Sequence, residues 1–333
     1  MKISERNIRK ALLKNKIINH DADILKAEEV NSGNTNHAYI ITTKTKKYFC
    51  KYAQLTTKVH YIAWETKNRL ANEAKAIQLV KKLTNSKIKI PNVIFHDKAH
   101  SVLCLDILPE WSKSLSDLLL SGEIGKNIGE SLGKNLACIH QSSVGITKNK
   151  FPSKECLKKI RIPLTYKNIS PSKKIQKKID ELGKELLNNE ICLVHTDYKP
   201  NNIFIDKNEC IIVIDFEFMH IGDPAAECGF FVGIYIHYAF SEKKRIGPYV
   251  QTIEKFWETY EKNLSMAKSE NFESRVIQHA WVQLLARLDG NIKFPTSQNK
   301  YVRNIFRPLS EAMIFWKIKN VAELRTYLLQ FSK

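Results

Sequence analysis

One stretch of this sequence carries carboxylates and an amide at the spacing phosphoryl transfer needs. It runs Leu193-Val194-His195-Thr196-Asp197-Tyr198-Lys199-Pro200-Asn201-Asn202-Ile203-Phe204-Ile205, followed by Ile212-Val213-Ile214-Asp215-Phe216-Glu217. The pattern is HxDxxxxN between apolar strands, with a second Asp just beyond a third strand. Moving a phosphoryl group from ATP to a hydroxyl needs a carboxylate to orient the attacking oxygen. It also needs carboxylate or amide oxygens to hold Mg2+ on the phosphates. Asp197 suits the first role, and Asn202 and Asp215 the second. Glu217 joins them as a metal candidate if strand alternation persists past Asp215. An isolated HxD is usually a turn satisfying its own backbone, but the added Asn and second Asp set this one apart. His195 belongs to the candidate catalytic set as a buttress of the loop rather than as a proton carrier.

A nucleotide needs further partners. Lys51, at the end of a strand, is the candidate for pairing with the α and β phosphates, and Glu73 on the following helix is its natural ion-pair partner. With 53 basic residues in the chain, a strand lysine is a solvated charge by default; order and spacing single this one out. The turn Asn31-Ser32-Gly33-Asn34-Thr35-Asn36 lies between two strands and before Lys51. Its backbone N–H groups can cover phosphates, with an ordinary hairpin turn as the equal alternative.

Two lobes are needed to carry these groups, and 333 residues with 43% hydrophobic content supply the material for both. A helix near the start precedes alternating strands at Glu28 to Thr42 and Lys47 to Tyr52. A helix from about Trp64 to Leu83 follows, with Leu70, Ala74, Ile77 and Val80 on one face. Strands at Asn92 to His96 and Ser101 to Leu108 close this lobe. From Ser114 helices dominate, apart from short strands at Ile191 to Val194, Ile203 to Ile205 and Ile211 to Ile214. The expected architecture is α+β and bilobal: residues 1–108 form a small β-rich nucleotide-binding lobe with one long helix. Residues 109–333 form a larger, mainly helical catalytic and substrate lobe. Within it, residues 142–190 hold 12 Lys or Arg against 5 Asp or Glu and read as a solvated insertion with one or two helices.

Net charge is +19, unevenly spread. Residues 142–190 supply +7, whereas His195 to Glu227 is net −5. A basic protein thus encloses an acidic strip, as metal binding beside anionic phosphate requires. The surplus reads as a Lys-rich solvated surface, not a nucleic-acid site. Seven scattered cysteines without a CxxC pair point to a reducing cytoplasm. The most apolar stretch, Cys228 to Phe240, is too short to span a bilayer.

At these residues the chain resembles the aminoglycoside-phosphotransferase and choline-kinase superfamily, of protein-kinase-like fold, from about residue 30 to 290. Its nearest local likeness is to 5-methylthioribose kinase. Ser32-Gly33-Asn34-Thr35-Asn36 resembles that family's phosphate loop, Lys51-Tyr52-Ala53 its nucleotide-binding lysine, and Trp64 with Arg69 and Glu73 its tryptophan-bearing loop and helix. Asp215-Phe216-Glu217 is similar to its DxE metal motif. Leu285-Ala286-Arg287-Leu288-Asp289-Gly290 resembles an Arg-bearing motif that lines its sugar site, so the resemblance implies substrate roles for Arg287 and Trp64. It also implies that the backbone of Asp106 and Leu108 meets adenine, and that the protein is a homodimer. The sequence departs from that family where Thr196 replaces Gly and Asn201-Asn202 replace Gly-Ser.

These features lead to an ATP- and Mg2+-dependent kinase of a small hydroxyl compound, methylthioribose-like, in the cytoplasm. Its rivals are choline, an aminoglycoside, homoserine or fructosamine as acceptor, with Glu227, Glu242 and Trp281 as walls for a cation. From another class, the rival is an inert anion- or nucleic-acid-binding scaffold, which the full set Lys51, Glu73, Asp197, Asn202 and Asp215 argues against. Protein Ser or Thr is disfavoured because no activation segment separates Asp215 from the helix near Ala225.

Overall fold

The computed structural model describes residues 1–30, 36–53, 69–125, 127–146, 157–169, 172–241, 246–265, 271–290, 299–315 and 317–331. It divides into two compact units, Met1–Glu110 with Ile214–Met219, and Trp111–Val213 with His220–Lys333.

The first unit starts with α1 (Ile3–Lys14), whose Ile8, Ala11 and Leu12 are wholly buried, at the spacing that lines one helix face. Then come β1 (Ile24–Val30), β2 (His37–Thr43), β3 (Lys47–Tyr52), α2 (Arg69–Leu83), β4 (Val93–Asp97) and β5 (Val102–Asp106). The strands form an antiparallel sheet of order β1-β2-β3-β5-β4, which sets Lys51 of β3 between Ala38 and Leu103 in the middle strand. Alternation does the rest. Cys50 faces the core that Ile8, Leu12, Tyr39 and Cys104 build, so Lys51 faces the other way. There it meets Glu73 of α2. The alternating stretch from Glu28 to Thr42 falls on two strands, β1 and β2, as the turn placed between them implied; Asn31 to Thr35 lie outside the described residues.

The second unit opens with β6 (Lys113–Ser114) and α3 (Leu115–Ser121). Ser114 caps α3 by accepting from the Ser116 N–H, and Gly122, at φ +77°, ends it in the left-handed region that favours glycine. Next are α4 (Ile128–Gln141), a wide turn at Leu157–Arg161, α5 (Ile162–Thr165) and α6 (Lys173–Asn188). Helix α6 buries Ile179, Leu182 and Leu186 and leaves its lysines to solvent. Short strands β7 (Cys192–Val194), β8 (Ile203–Ile205), β9 (Ile211–Val213) and β10 (His220–Gly222) follow. Strands β8 and β9 form the expected hairpin, joined at its edge by β6, while β7 pairs with β10.

Helices α7 (Pro224–Ser241), α8 (Ile246–Asn263), α9 (Phe272–Asp289), α10 (Lys300–Ile314) and α11 (Val321–Leu329) complete the unit. Helix α7 is the apolar stretch noted in the sequence, and it is buried along its length. No described helix is long and apolar enough to cross a membrane. Gly229 and Gly233 let α9 come close: a Cβ on Gly229 would stand 2.5 Å from the Val276 carbonyl oxygen and 2.6 Å from His279 Cβ. Gly229→Ala is therefore expected to cost about 1–3 kcal/mol in urea unfolding, although alanine is the better helix former by about 1 kcal/mol. An unchanged urea midpoint would show that the two helices are not in tight contact there.

Candidate active site

Each unit carries one cluster. In the first, the Lys51 ammonium donates to Glu73 Oε1 at 2.7 Å, to Glu73 Oε2 at 2.9 Å and to Asp215 Oδ1 at 2.6 Å. Burial acts to lower the Lys51 pKa, but Asp215 and Glu73 more than reverse it, so the ammonium is held charged. Burial also lifts the Glu73 carboxyl above the usual carboxylate range against the pull of Lys51. Asp215 opens the short turn Phe216–Phe218 with φ +70°, a left-handed backbone that Asp tolerates better than most residues.

Glu217 of the same turn is buried. Its Oε2 accepts from Asn36 Nδ2 at 2.8 Å and lies 3.9 Å from Arg69 Nε, while Arg69 Nη2 donates to Asn36 Oδ1 at 3.0 Å. The Asn36 side chain, on a turn whose backbone N–H groups were expected to cover phosphates, is thus turned onto Glu217 and Arg69. Arg69 is fully buried, and burial draws its pKa down. Sequence reasoning gave Arg69 no part of its own. A basic residue at the first turn of α2 looks like any surface arginine until Glu217 is brought beside it. Ser32, Gly33, Asn34, Thr35 and Trp64 lie outside the described residues. Asp106 ends β5, where its backbone N–H donates to the Asn92 carbonyl and its carboxylate accepts from the Asn92 backbone and amide.

In the second unit the turn after β7 carries the other motif. Asp197 Oδ2 accepts from Asn202 Nδ2 at 2.8 Å and lies 2.7 Å from Lys199 Nζ; Arg161 Nη2 is 3.5 Å from Oδ1. Burial would raise the Asp197 pKa, but Lys199 and Arg161 overrule it and hold the carboxyl at about 2. His195 is fully buried, accepts from the Asp197 N–H at 3.3 Å and meets Tyr198 edge-on, the geometry of a buttress.

Thr196 has φ +71°, a conformation that costs a β-branched residue roughly 1–2 kcal/mol. This is the position where the resembled family carries glycine. What holds the strained turn is Glu227 of α7. Its carboxylate accepts from the His195 N–H at 2.9 Å and the Thr196 N–H at 2.5 Å, and pairs with His140 Nε2 at 2.9 Å. Sequence reading made Glu227 and Trp281 walls for a cationic acceptor. Glu227 is instead engaged inside the protein, and Trp281 is wholly buried; Glu242 lies outside the described residues. Arg287 is half-buried on α9, with the Gln283 carboxamide 2.8 Å from its Nε, and the neighbouring Asp289 is paired with Arg303 and Arg307 instead.

A divalent cation fits the chemistry of these donors. Asn202 directs its amide nitrogen at Asp197 and keeps a carbonyl oxygen to offer, and Asp215, engaged by Lys51 through Oδ1, keeps Oδ2. Among the described residues no group of three or more His, Cys, Asp or Glu forms a metal cluster. Taken unit by unit, Asn202 and Asp215 are each a lone oxygen donor of the kind a hard divalent cation takes, its other ligands coming from phosphates and water.

The antiparallel five-stranded unit with its Lys–Glu pair, followed by a larger helical unit, is the bilobal protein-kinase-like fold. Residues 26–262, more than half of the chain, match the model of the phosphotransferase enzyme family, and the chain belongs to that family. Solved structures agree on the fold. Choline kinase LicA from Streptococcus pneumoniae is 15% identical with a TM-score of 0.55, over 93% of this chain and 98% of that one. An amicoumacin kinase in complex with AMP-PNP, Ca2+ and Ami is 12% identical with a TM-score of 0.58, over 96% and 99%. Plasmodium vivax ethanolamine kinase is 13% identical with a TM-score of 0.53, over 98% and 87%. No curated protein matches the sequence.

Proposed function

We propose that this protein is an ATP-dependent kinase of a small hydroxylated compound. The observation that carries the reading is the Lys51 ammonium, buried between Glu73 and Asp215. A solvated strand lysine has no reason to pair with an acid 164 residues further along the chain. Lys51, kept charged and aimed by Glu73, neutralises phosphate oxygens, where a loose transition state gathers its charge. Asp215 and Asn202 are the residues that would hold Mg2+, which would supply neutralisation of phosphate charge. Glu217, engaged by Asn36 and Arg69, sets the shape of the Asp215 turn and is a metal ligand only if that bond opens. The backbone of Asp106 and Leu108 would receive adenine, with the Asp106 carbonyl as the group on offer because its N–H is taken.

Asp197 accepts a hydrogen bond from the acceptor hydroxyl and directs a lone pair at the γ-phosphorus. Positioning counts for more than basicity there, because the hydroxyl proton leaves late. His195 and Glu227 hold the loop. Support for ATP and a divalent cation also comes from the amicoumacin kinase, whose complex contains AMP-PNP and Ca2+. A cytoplasmic location, a homodimer and a methylthioribose-like acceptor contacted by Arg287 and Trp64 belong to the same reading.

The test is twofold. Titration with AMP-PNP and Mg2+ is expected to give saturable binding that EDTA weakens. ADP release is expected to rise above background with one or more of methylthioribose, choline, homoserine and aminoglycosides, or with the hydroxy acids named below. No nucleotide binding at all would favour the inert scaffold.

A further inference from the structure

Beside Asp197 lies a cavity of about 30 Å3, room for about two water-sized groups. The turn at Leu157–Arg161, α5, α7 and α9 build its wall, and Thr196, the residue before Asp197, lines it. Its acidic lining residues already have their hydrogen bonds from within the protein. Glu227 is held by His140 and two backbone N–H groups, and Asp223 by Arg275, Asn189 Nδ2 at 2.9 Å and the Ala225 N–H at 3.0 Å.

The remaining polar groups suit an anion. Arg161 lies with its guanidinium carbon 4.1 Å from the Phe230 ring centroid, donates to the Thr196 carbonyl and stands 3.5 Å from Asp197. Stacking of this kind fixes the planar fork that binds carboxylates in pairs of hydrogen bonds. His279 is 1% exposed, and its Nε2 has no hydrogen-bond partner, while Nδ1 sits 2.8 Å from the Tyr166 hydroxyl. Burial and Arg275 keep the ring neutral. A Tyr166 hydroxyl that donates to Nδ1 puts the ring proton on Nε2, the tautomer adopted here. An unanswered buried donor costs roughly 1–3 kcal/mol, and a ligand oxygen would answer it.

We propose that this cavity is the acceptor subsite and that it takes a carboxylate, so that the acceptor is a hydroxy acid. Arg161 and His279 Nε2 receive the two carboxylate oxygens. Arg161 then turns from Asp197 to the ligand, and Asp197 is released to accept the hydroxyl. The inference rests on the kinase chemistry proposed above and replaces its methylthioribose-like acceptor: a carboxylate takes the place of the neutral sugar and of the cations of the choline and aminoglycoside rivals.

Calorimetric titration of the full chain with matched compounds of three to six carbons tests it: glycerate, threonate and gluconate against glycerol, threitol and glucitol, with serinol and glycerol 3-phosphate as cationic and phosphate controls. At least one acid is expected to bind tenfold or more tighter than its matched alcohol. Arg161→Gln should remove that preference and Arg161→Lys keep part of it, both titrated below their own melting temperatures and with wild-type near-UV circular dichroism. Equal or tighter binding of the alcohols or of serinol, a preference for the phosphate ester over every acid, or an acid preference that survives in Arg161→Gln overturns the proposal. A parallel AMP-PNP titration separates the two ideas. Nucleotide binding without acid preference sinks only the carboxylate subsite, whereas absent nucleotide binding sinks the kinase reading.

Discussion

Asp197→Asn is expected to leave AMP-PNP affinity within twofold of the parent and to lower phosphoryl transfer by about 10^2–10^4-fold. The substitution keeps the volume of the side chain but removes its charge and turns one acceptor oxygen into an NH2. Asn202, Lys199 and Arg161 all direct donors at the carboxylate, so an amide would face donors with a donor. Nucleotide affinity is largely spared because Lys51 and Asp215 belong to the other cluster, and Asn202 meets Asp197 through its amide nitrogen, leaving its carbonyl oxygen for the metal. The pH profile gives a second readout. The carboxyl is held at about 2 against an ordinary 3.8, so its contribution to stability is present above 3.8 and is lost as the pH falls toward 2. Between pH 5 and 8 Asp197 is always ionised, and any acid limb of turnover in that window has another origin. Single-turnover rates of wild type and Asp197→Asn with the best acceptor decide the matter; a variant within fivefold of wild type would remove Asp197 from the chemistry.

Local pattern carried a good part of the architecture. Alternation in Lys47 to Tyr52 put Lys51 on the face opposite Cys50, because this feature depends on period alone. The motif around Asp197 was legible for the same reason: eight consecutive positions, His195 to Asn202, hold all its parts. Contacts made at long range were not. Arg69, Asn36 and Glu217 meet across as many as 181 positions, and nothing in the neighbours of Arg69 marks it as buried. Arg161 was hidden in another way. It lies in a stretch with 12 basic residues, where charge is the background, and only its packing on Phe230 and its approach to Asp197 distinguish it. Glu227 does line the cavity beside Thr196, but its carboxylate is taken up by the His195 and Thr196 N–H groups and by His140; sequence gives a carboxylate's presence without its direction. Thr196 shows the reverse. Its departure from glycine looked like a weakness of the resemblance, yet the backbone there is still left-handed, and Glu227 supplies the bonds that hold the strained turn.

Asp215→Ala is the second large effect. Losing this carboxylate takes away a metal ligand and one of the oxygens around Lys51, so Mg2+-dependent nucleotide affinity is expected to fall on the order of 100-fold or more. Two causes would be mixed in that number, because φ +70° at this position costs alanine about 1–2 kcal/mol. Asp215→Asn separates them. Asparagine accepts the left-handed backbone and keeps the turn, but offers a neutral carbonyl in place of a charged carboxylate. If Asp215 acts on the metal, both variants lose the Mg2+ dependence while only the alanine form melts lower. If Asp215 serves mainly to shape the turn, the asparagine form keeps its Mg2+ response, and the metal assignment fails. Lys51 still has both Glu73 oxygens in either variant, so residual Mg2+-independent binding should persist and should disappear in Lys51→Met. Calorimetric titration of AMP-PNP with and without Mg2+, alongside melting curves for all three variants, distinguishes a metal ligand from a structural aspartate.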